Sequence, residues 1–220
     1  WFTQDVADSA TMFRAMTGSP TPEQNLNHKV GRYLSHQWEA SAPETLKVLD
    51  YSCEALAANG IEVVTIDPLP HLESVFDAAN TILHYEIFRV FAWERTHHLD
   101  LISDLLQKMF IKASDISHDD YLEAQKILFS ARLAHEEFMS TNHFDALLTP
   151  SAPGEAPLIK TTGDSVFNRV WTALGVPTIH LPVHLGPNGL PLGVQLTGRS
   201  WCDKELLLIA MHAESTLTAT

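Results

Sequence analysis

Residues 41–66, which read SAPETLKVLDYSCEALAANGIEVVTI, predict a helix followed directly by a strand. Ser41 and Glu44 have the spacing of a capping box, in which two side chains satisfy free backbone donors at a helix N-terminus. Apolar residues then recur every three or four positions, and a glycine ends the pattern. The β-branched run at 61–66 predicts a strand. Because residues 30–34 also resemble a strand, we expect a strand-helix-strand unit here.

Helical and strand-like patterns alternate along the rest of the chain. Residues 3–17 predict a short amphipathic helix, and residues 71–142 show apolar residues at helical spacing without a strand pattern. Asp203 is placed to cap a last helix. Three strand-like runs lie between these regions: Ala146–Thr149, Thr178–Val183 and Leu192–Thr197. The Asn188-Gly189 pair favours an antiparallel hairpin between the last two runs, since both residues tolerate positive φ.

These patterns predict an α/β fold with a mixed β-sheet flanked by helices. We expect a single domain over residues 1–220, with a helical insertion at about 71–142. About five strands are available, so a sheet built from this chain alone would present an open edge and an uncovered face. Exposed apolar surface of that kind favours a homo-oligomer or pairing with another chain.

Composition narrows the class of protein. Apolar residues make up 45% of the chain and charged residues 19%, as in ordinary globular proteins, which excludes a disordered or fibrous chain. The formal net charge of -13 disfavours nucleic acid as a partner. No apolar run reaches the ~20 residues that a membrane helix requires, so we expect no membrane span.

The two cysteines and the first residues carry further expectations. Cys53 and Cys202 are far apart in sequence, which indicates neither a disulfide framework nor a zinc cluster and favours a cytoplasmic setting. The chain begins with Trp1, and its first methionine is Met12, inside a helical pattern. We therefore expect the natural polypeptide to extend upstream of Trp1.

Motifs for cofactors and metals are absent from the sequence. It contains no Gly-rich phosphate loop, no Gly-x-Ser-x-Gly elbow and no metal-ligand spacing, so we expect no cofactor and no metal site. Ser151 follows Pro150 at the end of a predicted strand and is the best self-contained nucleophile, with a histidine such as His180 as its base. An ordinary loop hydroxyl is nevertheless the favoured interpretation of Ser151. His180 and His184 are four residues apart, a spacing that could place both on one face of a strand.

Three blocks in the second half of the chain resemble the amidase signature family. They are FDALLTPSAP at 144–153, FNRVWTALGVPTIHLPV at 167–183 and GLPLGVQL at 189–196. The opening WFTQDVADSA at 1–10 is similar to the helix that follows the Gly/Ser-rich signature of that family. The resemblance therefore covers the chain but only the C-terminal part of the amidase signature fold.

This resemblance implies a serine hydrolase that cleaves carbon–nitrogen amide bonds through an acyl-enzyme. The Ser nucleophile, the second Ser with its cis peptide and the Lys base of that family lie upstream of the part matched by Trp1, so we assign no catalytic residue. The chain is then expected to be inactive alone and to need the N-terminal half of the same enzyme. The alternative is a non-catalytic fragment or subunit that binds a small amide or a partner chain.

The resemblance also implies a substrate pocket in this chain. In glutamine-using members an acidic residue about ten positions before the Gly of the Gly-x-Pro turn contacts the amide. That Gly is Gly175 here, so Asp164 or Ser165 occupies the implied position. The other implied substrate-binding residues are Phe167, Asn168, Trp171, Thr172 and Ser151. Trp171 could instead pack in the core, and Gln195 is expected to satisfy buried backbone groups rather than substrate. Aromatic residues of the insertion could cover the pocket or form a helical core.

Overall fold

A computed structural model of the chain describes residues 1–19 and 27–217. The chain forms two compact units: Trp1–Pro70 with Glu136–Thr220, and His71–His135. The first unit holds the β-sheet. The second lies within the region predicted as a helical insertion.

The first unit is built on five strands. They are β1 (Lys29–Tyr33), β2 (Glu62–Ile66), β3 (Ala146–Pro150), β4 (Thr178–Leu185) and β5 (Pro191–Thr197). Their order across the sheet is β2-β1-β3-β5-β4. Strand β1 pairs in parallel with β2 and β3, whereas β5 is antiparallel to both β3 and β4. The predicted mixed sheet and the predicted hairpin around Asn188 are therefore confirmed, and β4 lies at one edge of the sheet.

Helices α1 (Val6–Thr17), α2 (Pro43–Ala58) and α8 (Asp203–Leu217) pack on one face of this sheet. The fully buried side chains of this core include Leu49 of α2, Ile209 of α8 and, from the strands, Leu148 and Val194. Burial of such side chains stabilises a fold by about 25 cal/mol per Å² of apolar surface. The two helices that the amphipathic patterns around residues 3–17 and 41–58 predict therefore pack into the same core.

The opposite face of the sheet carries a different set of residues. Side chains alternate along a strand, so Thr149 and Gln195 point away from the core of α2 and α8. The short helix α7 (Arg169–Leu174) contributes Trp171, which is 2% exposed, to this side of the molecule. Its ring meets Tyr33 edge to face, with 6.0 Å between the ring centroids.

One local prediction about the first unit was wrong. Helix α2 begins at Pro43, with Ala42 rather than Ser41 as its N-cap and no side-chain cap. Proline has no N–H and suits the first helical position, and the Ala42 N–H donates to the Pro153 carbonyl at 2.6 Å instead. The backbone N–H at the N-cap is therefore satisfied by a tertiary hydrogen bond and not by a capping-box side chain.

The two histidines of β4 do not share the face that their spacing allowed. The pairing register with β5 shifts between Pro182 and His184. An extra residue of this kind changes which face the following side chain takes. His184 packs on Tyr51 of α2, at 4.4 Å between ring centroids, whereas His180 contacts Ser151. The two histidines thus do not share a site.

The second unit is helical. Its helices are α3 (Val75–Val90), α4 (Ala92–His97), α5 (Asp104–Ala113) and the first part of α6 (His118–Thr141). Tyr85 stacks on Tyr121 with 4.2 Å between centroids, and Phe88 meets Phe110 edge to face. These aromatic residues form part of the unit's own interior, whereas Trp93 is 59% exposed.

Candidate functional site

Gln195 connects two chain segments on the face of the sheet opposite α2 and α8. Its side chain lies on β5, is 3% exposed, and donates from Nε2 to the carbonyl oxygens of Pro150 at 2.9 Å and Phe167 at 3.0 Å. The same nitrogen lies 3.1 Å from Oγ1 of Thr149. The prediction that Gln195 satisfies buried backbone groups is confirmed. This amide fixes the end of β3 against the segment that leads into α7.

The loop after β3 is held at several further points. The Pro153 carbonyl accepts hydrogen bonds from the Ala42 N–H and from Oγ1 of Thr45 on α2. The carboxylate of Glu155 accepts from the backbone N–H groups of Asn188 and Leu190 in the β4–β5 turn. Residues 150–155 are therefore anchored both to α2 and to the hairpin.

Ser151 lies in this anchored loop and contacts His180. Its Oγ is 2.9 Å from Nδ1 of His180 and 3.4 Å from the Gly193 carbonyl oxygen. Its own carbonyl oxygen accepts a hydrogen bond of 3.1 Å from Nδ2 of Asn168. Desolvation lowers the pKa of the His180 imidazole below its ordinary value. A neutral imidazole can accept the hydroxyl proton of a serine.

A cavity of about 550 Å³ lies beside His180. It is lined by the first residues of the chain and α1, by β4 and the residues before it, and by α8. Its polar groups include the carboxylates of Asp5, Asp203 and Glu214. His180 therefore belongs both to this cavity and to the Ser151 contact.

The structure brings some of the sequence-predicted site residues together. Asn168 bonds to Ser151, and the Phe167 carbonyl meets Gln195. Ser165 accepts a hydrogen bond of 3.2 Å from Arg169. Asp164, Ser165, Asn168 and Thr172 are exposed, whereas Phe167 and Trp171 are each 2% exposed.

The same residues stand apart from the cavity. Its lining comes from residues 1–13, 177–182 and 203–214. None of the seven predicted site residues belongs to that lining. The predicted residues thus form a group around the end of β3 and the start of α7, and His180 connects that group with the cavity.

Neither cysteine is activated as a nucleophile. Burial raises the pKa of Cys53 to about 11, and desolvation also raises the pKa of Cys202. A thiol of that kind stays protonated at neutral pH and reacts slowly.

Two structural features, a membrane-spanning helix and a metal-binding cluster, are absent from the described residues. Among residues 1–19 and 27–217, no helix combines the length and the apolar character that crossing a membrane requires. In the same part of the chain, no three His, Cys, Asp or Glu side chains are grouped so that they could hold a metal ion.

Sequence reasoning missed the parts of this site that depend on strand neighbours. The roles of Glu155 and Thr45 arise from contacts between segments more than 30 residues apart, and the role of Gly193 arises from its contact with the neighbouring strand β4. The paired glycine and glutamine of GLPLGVQL were the available signal, because a glycine inside a strand often marks a close approach.

Comparison with known proteins gives a family. The family model described as Amidase matches residues 2–207. The chain is 24% identical to 2-amino-5-chloromuconic acid deaminase of Comamonas testosteroni, over 98% of this chain and 50% of that protein. It is 26% identical to a subunit of glutamyl-tRNA(Gln) amidotransferase from Rhodospirillum rubrum, over 98% of this chain and 53% of that protein. The chain thus spans about half the length of these relatives.

Solved structures agree with the sequence comparison. A crystal structure of an amidase superposes with a TM-score of 0.86 at 25% identity, over 98% of this chain and 52% of that one. A bacterial aryl acylamidase of the amidase signature enzymes shares the fold, with a TM-score of 0.72 at 18% identity, over 97% and 52% of the two chains. The recognised blocks, the mixed sheet and the family match all lead to one assignment: the chain belongs to the amidase signature family.

Proposed function

We propose that this chain supplies the substrate-pocket half of an amidase-type serine hydrolase. The complete enzyme cleaves carbon–nitrogen amide bonds through an acyl-enzyme, and a second half provides the Ser, second Ser and Lys centre. Membership of the family supports the reaction class. The chain covers about half the length of the two relatives named above, which supports a second half that carries the catalytic centre. The reaction is assigned to side chains alone, without a metal or cofactor.

One observation carries the proposal. Gln195 and Asn168 join the loop after β3 to the segment that precedes α7, and Ser151 of that loop contacts His180 of the edge strand β4. Substrate-positioning residues need such fixed supports, because small displacements of a bound substrate reduce rates strongly. An anchored polar group next to an open sheet edge suits a pocket that a second half completes.

Within this pocket each predicted residue has a role. The exposed Asp164 carboxylate accepts a hydrogen bond from the substrate amide, and the exposed Ser165, Asn168 and Thr172 offer further polar contacts. The buried rings of Phe167 and Trp171 support the wall from behind. Ser151 lies at the rim. This mixture of apolar wall and few polar groups is typical of small-molecule sites.

The second half is assigned to the free edge of β4. Thr178, His180 and Pro182 are exposed at alternate positions along this strand. An edge strand offers unpaired backbone donors and acceptors to another strand. The partner is the N-terminal half of the same enzyme, and a second copy of this chain is the competing occupant. One relative, from Rhodospirillum rubrum, is itself named as a subunit.

The proposal is tested by separating binding from turnover. The purified chain is incubated with L-glutamine, benzamide or a linear aliphatic amide, and ammonia release and thermal unfolding are measured. We expect no ammonia release and a raised unfolding midpoint with at least one amide, since a ligand that binds only the folded state stabilises it. Asp164→Ala should remove this shift.

Asp67→Ala is the matched control, because Asp67 is an exposed aspartate that follows β2 at the other edge of the sheet. It should leave the shift unchanged. Ammonia release by the chain alone would contradict the need for a second half. A midpoint that no amide raises, or that Asp164→Ala leaves raised, would contradict the pocket assignment.

A further inference from the structure

The Ser151 hydroxyl lies within hydrogen-bond distance of His180. Its Oγ is 2.9 Å from Nδ1 of His180 and 3.4 Å from the Gly193 carbonyl oxygen. Good O–H···O bonds span about 2.5–3.0 Å, so the carbonyl is a poor acceptor here. In the neutral tautomer that carries its ring proton on Nε2, His180 accepts the hydroxyl proton at Nδ1.

Gly193 makes this contact possible. Ser151 follows β3 and His180 lies on β4, and β5 runs between these two strands. A Cβ atom built on Gly193 would lie only 2.6 Å from Cε1 of His180. Because glycine has no side chain, the imidazole ring can lie across β5 and reach the hydroxyl.

The surroundings hold this pair in place. Asn168 bonds the Ser151 carbonyl, Gln195 bonds the preceding carbonyl of Pro150, and Glu155 ties the same loop to the β4–β5 turn. A nucleophile that is already oriented toward its base loses less entropy on the way to the transition state. Although the His180 side chain is exposed at the edge of the sheet, partial desolvation of its ring lowers its pKa and favours the neutral imidazole.

We propose that Ser151 and His180 form a nucleophile–base pair that reacts with activated carboxylic esters. Oγ of Ser151 attacks the ester carbonyl carbon while its proton passes to Nδ1 of His180. The carbon–oxygen bond to the leaving group breaks, and the leaving alkoxide or phenoxide takes the proton from the imidazolium. Water, deprotonated by His180, then releases the carboxylic acid from the acyl-serine and restores both residues.

The substrate class follows from what surrounds the pair. Ser151 lies in a loop and not at a strand-turn-helix elbow, whose backbone N–H groups would stabilise the oxyanion. Without that stabilisation the leaving group must be good, as in an aryl ester, and an amide is too unreactive. This activity is independent of the proposed amide reaction, since it needs no second half.

The test uses the purified chain and p-nitrophenyl acetate. We measure p-nitrophenolate release at pH 7.5 and locate the acetyl group by peptide mass mapping after an acid quench. We expect a burst with acetyl on Ser151. Ser151→Ala and His180→Asn should each slow acetylation by at least about tenfold. Asparagine keeps a polar nitrogen near the Nδ1 position but removes the base.

Two matched variants control for general effects. Ser130→Ala removes an exposed serine of α6, and His184→Asn removes the other histidine of β4, which packs on Tyr51. Both should acetylate at the wild-type rate. Circular dichroism checks that each variant is folded.

Other results would overturn the pair. These are acetyl found only on other residues, unchanged acetylation in Ser151→Ala, unchanged acetylation in His180→Asn, or a wild-type rate no higher than that of free imidazole at the same concentration. If either variant fails to fold, the peptide map of the wild-type chain decides. Amide turnover in the earlier assay is a separate result, so the two proposals can fail independently.

Discussion

Oγ of Ser151, in the loop after β3, and Nδ1 of His180, on β4, lie 2.9 Å apart, although β5 runs between β3 and β4. The contact crosses the position of Gly193, which offers no side chain in its way. The arrangement therefore depends on three neighbouring strands and on one glycine between them. This dependence leads to a direct test by substitution.

Gly193→Ala is expected to break the pair and to destabilise the hairpin. The new Cβ would overlap the Leu181 carbonyl oxygen and press on the His180 ring. Overpacking of this kind costs about 1–3 kcal/mol. Urea unfolding and p-nitrophenyl acetate labelling measure the two effects. Gly198→Ala, whose Cβ would lie 3.3 Å from Cβ of Leu206, is the milder control. Wild-type stability and labelling in Gly193→Ala would refute the steric argument.

Gln195→Leu tests the junction at the end of β3. The substitution leaves the carbonyl oxygens of Pro150 and Phe167 buried without this donor. Each such loss costs about 1–3 kcal/mol, so we expect the free energy of unfolding to fall by about 2–4 kcal/mol. Gln125→Leu, on the exposed face of α6, should change it by less than about 0.5 kcal/mol. Equal effects of the two substitutions would show that Gln195 has no special structural role.

The acetylation of Ser151 should depend on pH through His180. The neutral imidazole is the active form, and desolvation lowers its pKa. The carboxylates of Asp5, Asp203 and Glu214 line the same cavity. We expect the rate to rise with pH and to level off at a lower pH than it would with a histidine of ordinary pKa, about 6.5. Rates measured between pH 4.5 and 8 check this, and a rate that shows no plateau up to pH 8 would indicate a different base.

Stability should also fall in acid because of His135, in the helical unit. Burial, with the charge of His71 adding to it, lowers the pKa of His135 to about 4. The unfolded chain titrates near 6.5, so it binds a proton first as the pH falls, and protonation favours unfolding. The resulting loss between pH 7 and pH 5 is about 2 kcal/mol, and stability is retained above pH 6.5.

Urea unfolding at pH 7 and pH 5 measures this loss. In His135→Leu the difference between the two pH values should shrink by about 2 kcal/mol. His98→Gln, at an exposed position of the same unit, should keep the wild-type difference. An unchanged difference in His135→Leu would assign the acid sensitivity to other groups.

Local patterns predicted the architecture, and contacts between distant segments decided the site. Hydrophobic periodicity predicted the five strands and most of the helices, because each of these segments has its own repeat of apolar residues, but it did not predict the short helix α7. The capping box failed because Ala42 bonds to Pro153, more than 100 positions away in sequence. The spacing of His180 and His184 left open whether they share a face, because the residue types do not reveal the bulge in β4 that separates them. Ser151 and His180 could be named as candidates, but only the strand order places them in contact.

Native mass spectrometry of the protein isolated from its source cells tests most directly whether this chain is one half of an amidase. The denatured intact mass of each component is measured alongside. We predict that these 220 residues are accompanied by about as much additional polypeptide, in the same chain or in a tightly bound second one. A stable monomer of 24.5 kDa would contradict the account.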